Sequence, residues 1–191
     1  MFKRVFIIGA GQIGSRHLQE LKAVNASLEI LVIDPVRASR ETAKSRYELM
    51  PTGKFTHHIN FTDRFSEAVG VVDLAIVATS SNNRADAVRR LLKSAKIKNL
   101  VLEKLLFQKP SDYESVSRLL KKTKTKTWVN CCMRMMAPYQ AIKNDFAGKQ
   151  IYYNVSGSQF GLVTNAIHYI DHMAYLTDSN DFEVFTDFLD N

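Results

Sequence analysis

Short unbroken apolar runs alternate along this chain with segments whose apolar residues recur every three or four positions. The first run, at residues 3–8, is apolar on successive positions from Val5 to Ile8, the pattern of a strand buried on both faces. Ile13, His17, Leu18, Leu21 and Val24 then repeat at helical spacing. A second apolar run at 28–33 leads into a predicted helix over 36–47, and Pro51 and Gly53 break the pattern. A continuous strand follows at 74–78, then a helix at 84–95 and a strand at 100–103. Ser111 with Glu114 three residues later predicts a capping box for a helix reaching Lys122, and residues 128–132 read as a further strand. Such alternation predicts an α/β fold: a doubly wound parallel sheet with crossover helices on both faces. Beyond it the pattern predicts a helix from Pro138 to about Phe146, a weakly alternating strand at 151–158, a helix at 166–176 and a short strand at 183–186.

Three glycines follow the first strand directly. Gly9 suits the tight turn, Gly11 removes the side chain that would block a pyrophosphate, and Gly14 lets the next helix pack closely on the strand. Gln12 and Ile13, between them, fall at the start of that helix, whose free N–H groups and positive dipole end favour an anion. Asp34 ends the second apolar run 20 residues after Gly14, where an acid accepts from ribose hydroxyls and repels a 2′-phosphate. NAD is therefore the expected cofactor. Arg37 and Arg40 stand close enough in sequence to accommodate a 2′-phosphate, which keeps NADP as the alternative.

Composition narrows the classes. With 191 residues and 46% hydrophobic content the chain can build a real core, which excludes a disordered chain. A net charge of +7 suits either nucleic acid or an anionic cofactor and substrate. The densest basic run, at 121–126, has no interleaved aromatics and closes a predicted helix, so it reads as a solvated loop and no nucleic-acid partner is expected. Cys131 and Cys132 are the only cysteines, and their adjacency supports neither an internal disulfide nor a metal half-site. No cleavable signal pattern and no membrane-spanning apolar run occur, so a cytoplasmic protein without a membrane partner is expected.

Two positions carry candidate chemistry. Glu103 and Lys104 sit at the carboxyl end of a predicted parallel strand, where open α/β sheets place ligands, and an ammonium there stabilises a developing alkoxide. His168 and His172 lie one helical turn apart with Asp171 beside them. Helical zinc sites of this spacing need a glutamate after the first histidine; Tyr169 stands there, no third ligand is evident, and no metal is expected. A histidine acting as general base fits better, since neutral imidazole accepts an alcohol proton near working pH.

In this order the motifs resemble the Gfo/Idh/MocA family of nicotinamide-dependent sugar and cyclitol oxidoreductases. The family's glycine loop corresponds to Gly9, Gly11 and Gly14, its Ala-Thr segment to Ala78 and Thr79, and its Glu-Lys-Pro motif to Glu103, Lys104 and Leu105. Its Arg-Phe-x-Pro segment looks like the stretch from Arg134 to Pro138, and its His-x-x-Asp helix like His168 to Asp171. The resemblance implies Thr79, Glu103 and Lys104 near the cofactor, Lys104 on the substrate oxygen and His168 as proton acceptor. It implies oxidation of a secondary alcohol on a sugar, nucleotide sugar or cyclitol, with a carbohydrate-like small molecule as partner.

Three positions depart from the pattern: Leu105 replaces the proline, Arg84 stands where many relatives carry histidine, and Thr164 stands where many carry the aspartate that completes a Lys-Asp-His relay. The expected organisation is a Rossmann-type NAD-binding domain over residues 1–125 and an incomplete α+β substrate domain over 126–191. So short a second unit is expected to be the start of a longer domain, or to be completed by packing, and a homo-oligomer is expected. A non-catalytic dinucleotide-binding sensor on the same fold is the competing expectation.

Overall fold

The computed structural model describes residues 3–146, 148–159 and 161–185. Its first compact unit, Met1–Asn130, contains β1 (Arg4–Ile8), α1 (Gln12–Leu21), β2 (Glu29–Ile33), α2 (Arg37–Glu48), β3 (His58–Thr62), β4 (Gly70–Val77), α3 (Ser81–Ser94), β5 (Ala95–Leu102), α4 (Pro110–Thr123) and β6 (Lys126–Val129). All six strands are parallel, in the order β3-β2-β1-β4-β5-β6. The order reverses between β1 and β4, which makes the carboxyl ends of these strands the switch point where such sheets bind ligands.

The period-two geometry of a strand explains why the apolar runs are unbroken. Val5 and Ile7 of β1, with Ile30 and Val32 of β2, belong to a core cluster with Leu18 of α1 and Ala43 of α2. Phe6 and Ile8, with Leu31 and Ile33, belong to the cluster containing Val88 and Leu91 of α3 and Val116 of α4. Each sheet face thus has its own helical layer. Each fully buried large apolar side chain stabilises the fold by about 1.5–3 kcal/mol relative to exposure.

Several boundaries differ from expectation. β3 was not foreseen, because His58, Asn60 and Thr62 make this edge strand polar and its pairing with β2 supplies the order instead. β5 starts at Ala95 rather than 100, since Ile97 enters the core while Lys96 and Lys98 face solvent. The capping box does not form: α4 begins at Pro110 with Lys109 as its cap residue, and Glu114 faces Arg118. The domain boundary expected at 125 would leave β6 outside the sheet, whereas β6 pairs with β5 and the first unit runs through Asn130.

The second unit, Cys131–Asn191, holds α5 (Ala137–Phe146) and α6 (Leu162–Thr177). α6 begins four residues before the predicted 166, because Gly161 adopts the left-handed conformation (φ 63°) and its carbonyl accepts the N–H groups of Thr164 and Asn165. The segment 151–158 is not a strand. Its residues alternate in exposure, but among the described residues no neighbouring strand satisfies their backbone groups. Residues 183–185 are also outside any strand, and Thr186 lies outside the described residues. Among the described residues of this unit only Cys131, His172 and Leu176 are buried. No helix among the described residues is long and apolar enough to cross a membrane.

Candidate functional site

The glycine loop is shaped by what a side chain would meet. Gly9 has φ +95°, and a Cβ there would stand 3.0 Å from the backbone of Ala78 and Thr79. A Cβ at Gly14 would fall 1.8 Å from the Gly9 carbonyl oxygen, so glycine is what allows α1 to close onto the β1 turn. At Gly11 a Cβ would meet nothing within 4 Å. That open side lies at the start of α1, which has no acidic residue in its first turn and no side-chain cap, leaving its N–H groups directed to an incoming anion. Gln12 lines a separate small hollow with Arg46, and Ile13 is exposed.

A cavity of about 520 Å³ opens beside this loop, with Gly9, Gly11, Asp34, Thr79, Phe65 and Arg90 among its lining. Asp34 is buried, and its two carboxylate oxygens accept the N–H groups of Ala10 (2.7 Å) and Val36 (2.8 Å). These bonds pin the acid at the end of β2 and leave each oxygen lone-pair capacity for a further donor. Arg40 turns back to the Asp34 carbonyl at 2.5 Å. Arg37 does not join the cavity lining. It pairs with Glu41 at 2.7 Å in solvent, and that hydrogen bond raises its pKa. The Thr79 hydroxyl is buried with no hydrogen-bond partner among the described residues, although Thr79 lines the cavity. Phe65 and Arg90 form a cation–π pair at 4.2 Å in the wall, which no local motif announces.

At the exit of β5, Glu103 is buried and its Oε1 accepts from His17 Nε2 and Asn130 Nδ2, both at 2.7 Å. Burial alone would raise this carboxyl; the hydrogen bonds from His17 and Asn130 and the nearby positive charge outweigh it and hold its pKa down. Glu103 therefore anchors α1 and the chain after β6 to the strand end, and Lys104, half-buried, follows it. Arg84 of α3 is 3% exposed, and its guanidinium donates to the carbonyls of Glu103 (2.5 Å), Leu106 (3.3 Å), Leu105 and Thr79. Burial lowers its pKa against the opposing field of Glu103. Neither the Glu103 pairings nor the Arg84 contacts follow from sequence spacing.

The remaining site candidates lie in the second unit. His168 is half-buried on α6, and the exposed Thr164 hydroxyl donates to the Gly161 carbonyl at 3.0 Å in the first turn. Asp171 accepts a forked pair from Arg134, through Nε at 2.8 Å and Nη2 at 2.5 Å, and this bonding raises the arginine pKa. His172 is 2% exposed, with Nδ1 2.9 Å from the Tyr153 hydroxyl and its ring against Tyr139; burial lowers its pKa. Among the described residues no three His, Cys, Asp or Glu side chains gather as metal ligands.

Comparison with known proteins bears on this arrangement. A search of curated proteins finds no match. Solved structures do match in fold: a myo-inositol 2-dehydrogenase from Lactobacillus plantarum (17% identity, TM-score 0.69) and a scyllo-inositol dehydrogenase from Lactobacillus casei (16% identity, TM-score 0.67), each over 93% of this chain. The WlbA dehydrogenase from Thermus thermophilus, in complex with NAD and UDP-GlcNAcA, matches at 22% identity and TM-score 0.62 over 91% of this chain. This chain spans only 57%, 55% and 62% of those three chains, respectively. The family model described as "Oxidoreductase family, NAD-binding Rossmann fold" matches residues 3–131, the span from β1 to just past β6. The chain belongs to that family, Gfo/Idh/MocA.

Proposed function

We propose that this chain carries the NAD site and part of the catalytic apparatus of a dehydrogenase that oxidises a secondary alcohol on a sugar, nucleotide sugar or cyclitol. The observation that carries the proposal is the cavity of about 520 Å³ that gathers Gly9, Gly11, Asp34 and Thr79 at the carboxyl ends of the strands. The residues fit the cofactor: the cradle needs glycine at Gly14, Gly11 leaves open space for phosphate, Asp34 is fixed as an acceptor, and the buried Thr79 hydroxyl has no hydrogen-bond partner among the described residues. NAD, when bound, supplies the acceptor for a hydride.

The chain's own groups do the rest. The Lys104 ammonium holds the substrate oxygen and stabilises the negative charge that grows there as its proton leaves. An imidazole nitrogen of His168 takes that proton, and the Thr164 hydroxyl orients the substrate from the position where relatives carry aspartate. The structures similar in fold include two inositol dehydrogenases and a dehydrogenase in complex with UDP-GlcNAcA, which supports a carbohydrate-like substrate class for this chain.

The test is reduced-nicotinamide formation with a panel of cyclitols, sugars and nucleotide sugars. Lys104→Met should lose at least ~100-fold in kcat, the scale of removing a donor to a developing oxyanion, with NAD affinity retained. His168→Ala should remove most of the rate together with the rise of activity with pH through the histidine range. Full activity in both variants would overturn these roles.

A further inference from the structure

We infer that Arg84 is a positioning residue that builds the half of the dinucleotide site beyond β1, by holding the segments after β4 and β5 in one fixed relation. The inference rests on reading the cavity as an NAD site.

Arginine is almost never fully buried unless its charge is used. Arg84 is 3% exposed, and its guanidinium donates to four backbone carbonyls: Thr79 after β4, and Glu103, Leu105 and Leu106 after β5. Those three β5-side acceptors bracket Lys104, and the Thr79 side chain lines the cavity. Taking a guanidinium out of water for stability alone is a poor bargain, since an apolar side chain of similar volume commonly does as well. What an apolar side chain cannot do is tie two loops together through their carbonyls. The planar fork of five donors makes that possible at once, whereas histidine offers two ring nitrogens and lysine a single point. The negative charge of Glu103 partly compensates the buried cation.

Doubly wound sheets divide a dinucleotide between two mononucleotide halves. The glycine loop and Asp34 belong to the half built on β1 to β3; Thr79 and Lys104 belong to the half built on β4 to β6. The hydrogen bonds of Arg84 go to the second. Its loss should therefore weaken binding of the whole dinucleotide while leaving the adenosine diphosphate portion unaffected, a split that a merely structural arginine would not produce.

Calorimetry with NAD and with ADP, on the unaltered chain and on Arg84→Lys and Arg84→His, reads this directly. The unaltered chain should bind NAD more tightly than ADP. Arg84→His should lose about tenfold in NAD affinity, the scale of one charged hydrogen bond, at unchanged ADP affinity, with Arg84→Lys between. Equal losses for both ligands, no loss, or equal affinities in the unaltered chain overturn the role of Arg84 and leave the cofactor site standing. Absence of binding by either ligand to the unaltered chain overturns the NAD site and this inference with it. Hydrogen exchange on the unaltered chain gives a reading independent of whether the variants fold: NAD should protect residues 79–84 and 103–107 beyond the protection ADP confers, and equal protection by both ligands overturns the inference.

Discussion

Two glycines three positions apart separate folding from binding. Gly14 has no room: an added Cβ would lie 1.8 Å from a backbone oxygen, so Gly14→Ala must push α1 away from the β1 turn. That substitution should destabilise the chain by about 1–3 kcal/mol, the usual cost of overpacking, seen as a lower midpoint in denaturant. Gly11 has open space around it, so Gly11→Ala should fold with nearly unchanged stability yet weaken NAD, because the methyl occupies the path of the phosphates. Equal effects of the two on stability would contradict the assigned roles. Gly9, Gly14 and Asp34 were legible because their parts are set by spacing within one βαβ unit. The surroundings of Glu103 were not, because His17 and Asn130 lie 86 and 27 positions away and only the closed sheet brings them together. Arg84 stood out in sequence only as an unexpected residue; its four carbonyl partners come from strand ends that no periodicity places side by side.

At the scale of elements, what could be read followed burial. β1, β2 and the end of β4 are apolar on both faces and announced themselves, whereas β3 is a polar edge strand and β5 begins with exposed lysines. Strand order was out of reach because alternation implies parallel pairing without saying which strands are neighbours. Asp73 shows how a polar residue inside a strand is reconciled with the sheet. Its carboxylate takes a hydrogen bond from Lys98 of β5 at 2.7 Å and accepts the N–H groups of Lys3 and Arg4 at 3.0 and 3.1 Å, fastening β4 to β5 and to the start of β1. The Lys98 hydrogen bond first, then those of the backbone, lower its pKa to about 2. Because the folded value is depressed below the ordinary ~3.9, this group stabilises the fold above about pH 4, and the contribution fades as pH falls through about 2. Asp73→Asn should cost of order 1–2 kcal/mol at neutral pH after allowance for partial exposure, with the difference vanishing in acid. A pH-independent cost would show that geometry, not charge, is what matters there.

The whole molecule is uneven. The first unit has an apolar core on both faces of its sheet, while the second buries three side chains among its described residues and exposes Tyr152, Val163, Val184 and Phe185. The α/β class and the dinucleotide loop could be read from sequence because they belong to the well-packed unit. Among the described residues the expected strands of the second unit do not form, since alternation without a pairing partner there leaves backbone groups unsatisfied. The net charge of +7 favours an anionic ligand of either nicotinamide type, so the proposed discrimination rests on Asp34, held by Ala10 and Val36 beside the cavity, with Arg37 turned away to Glu41. The most direct measurement is calorimetric titration of the chain with NAD and with NADP under identical salt. NAD should bind and NADP should bind at least about tenfold more weakly, the cost of bringing a 2′-phosphate against a fixed carboxylate; equal or tighter binding of NADP, or no binding of either, would contradict the account.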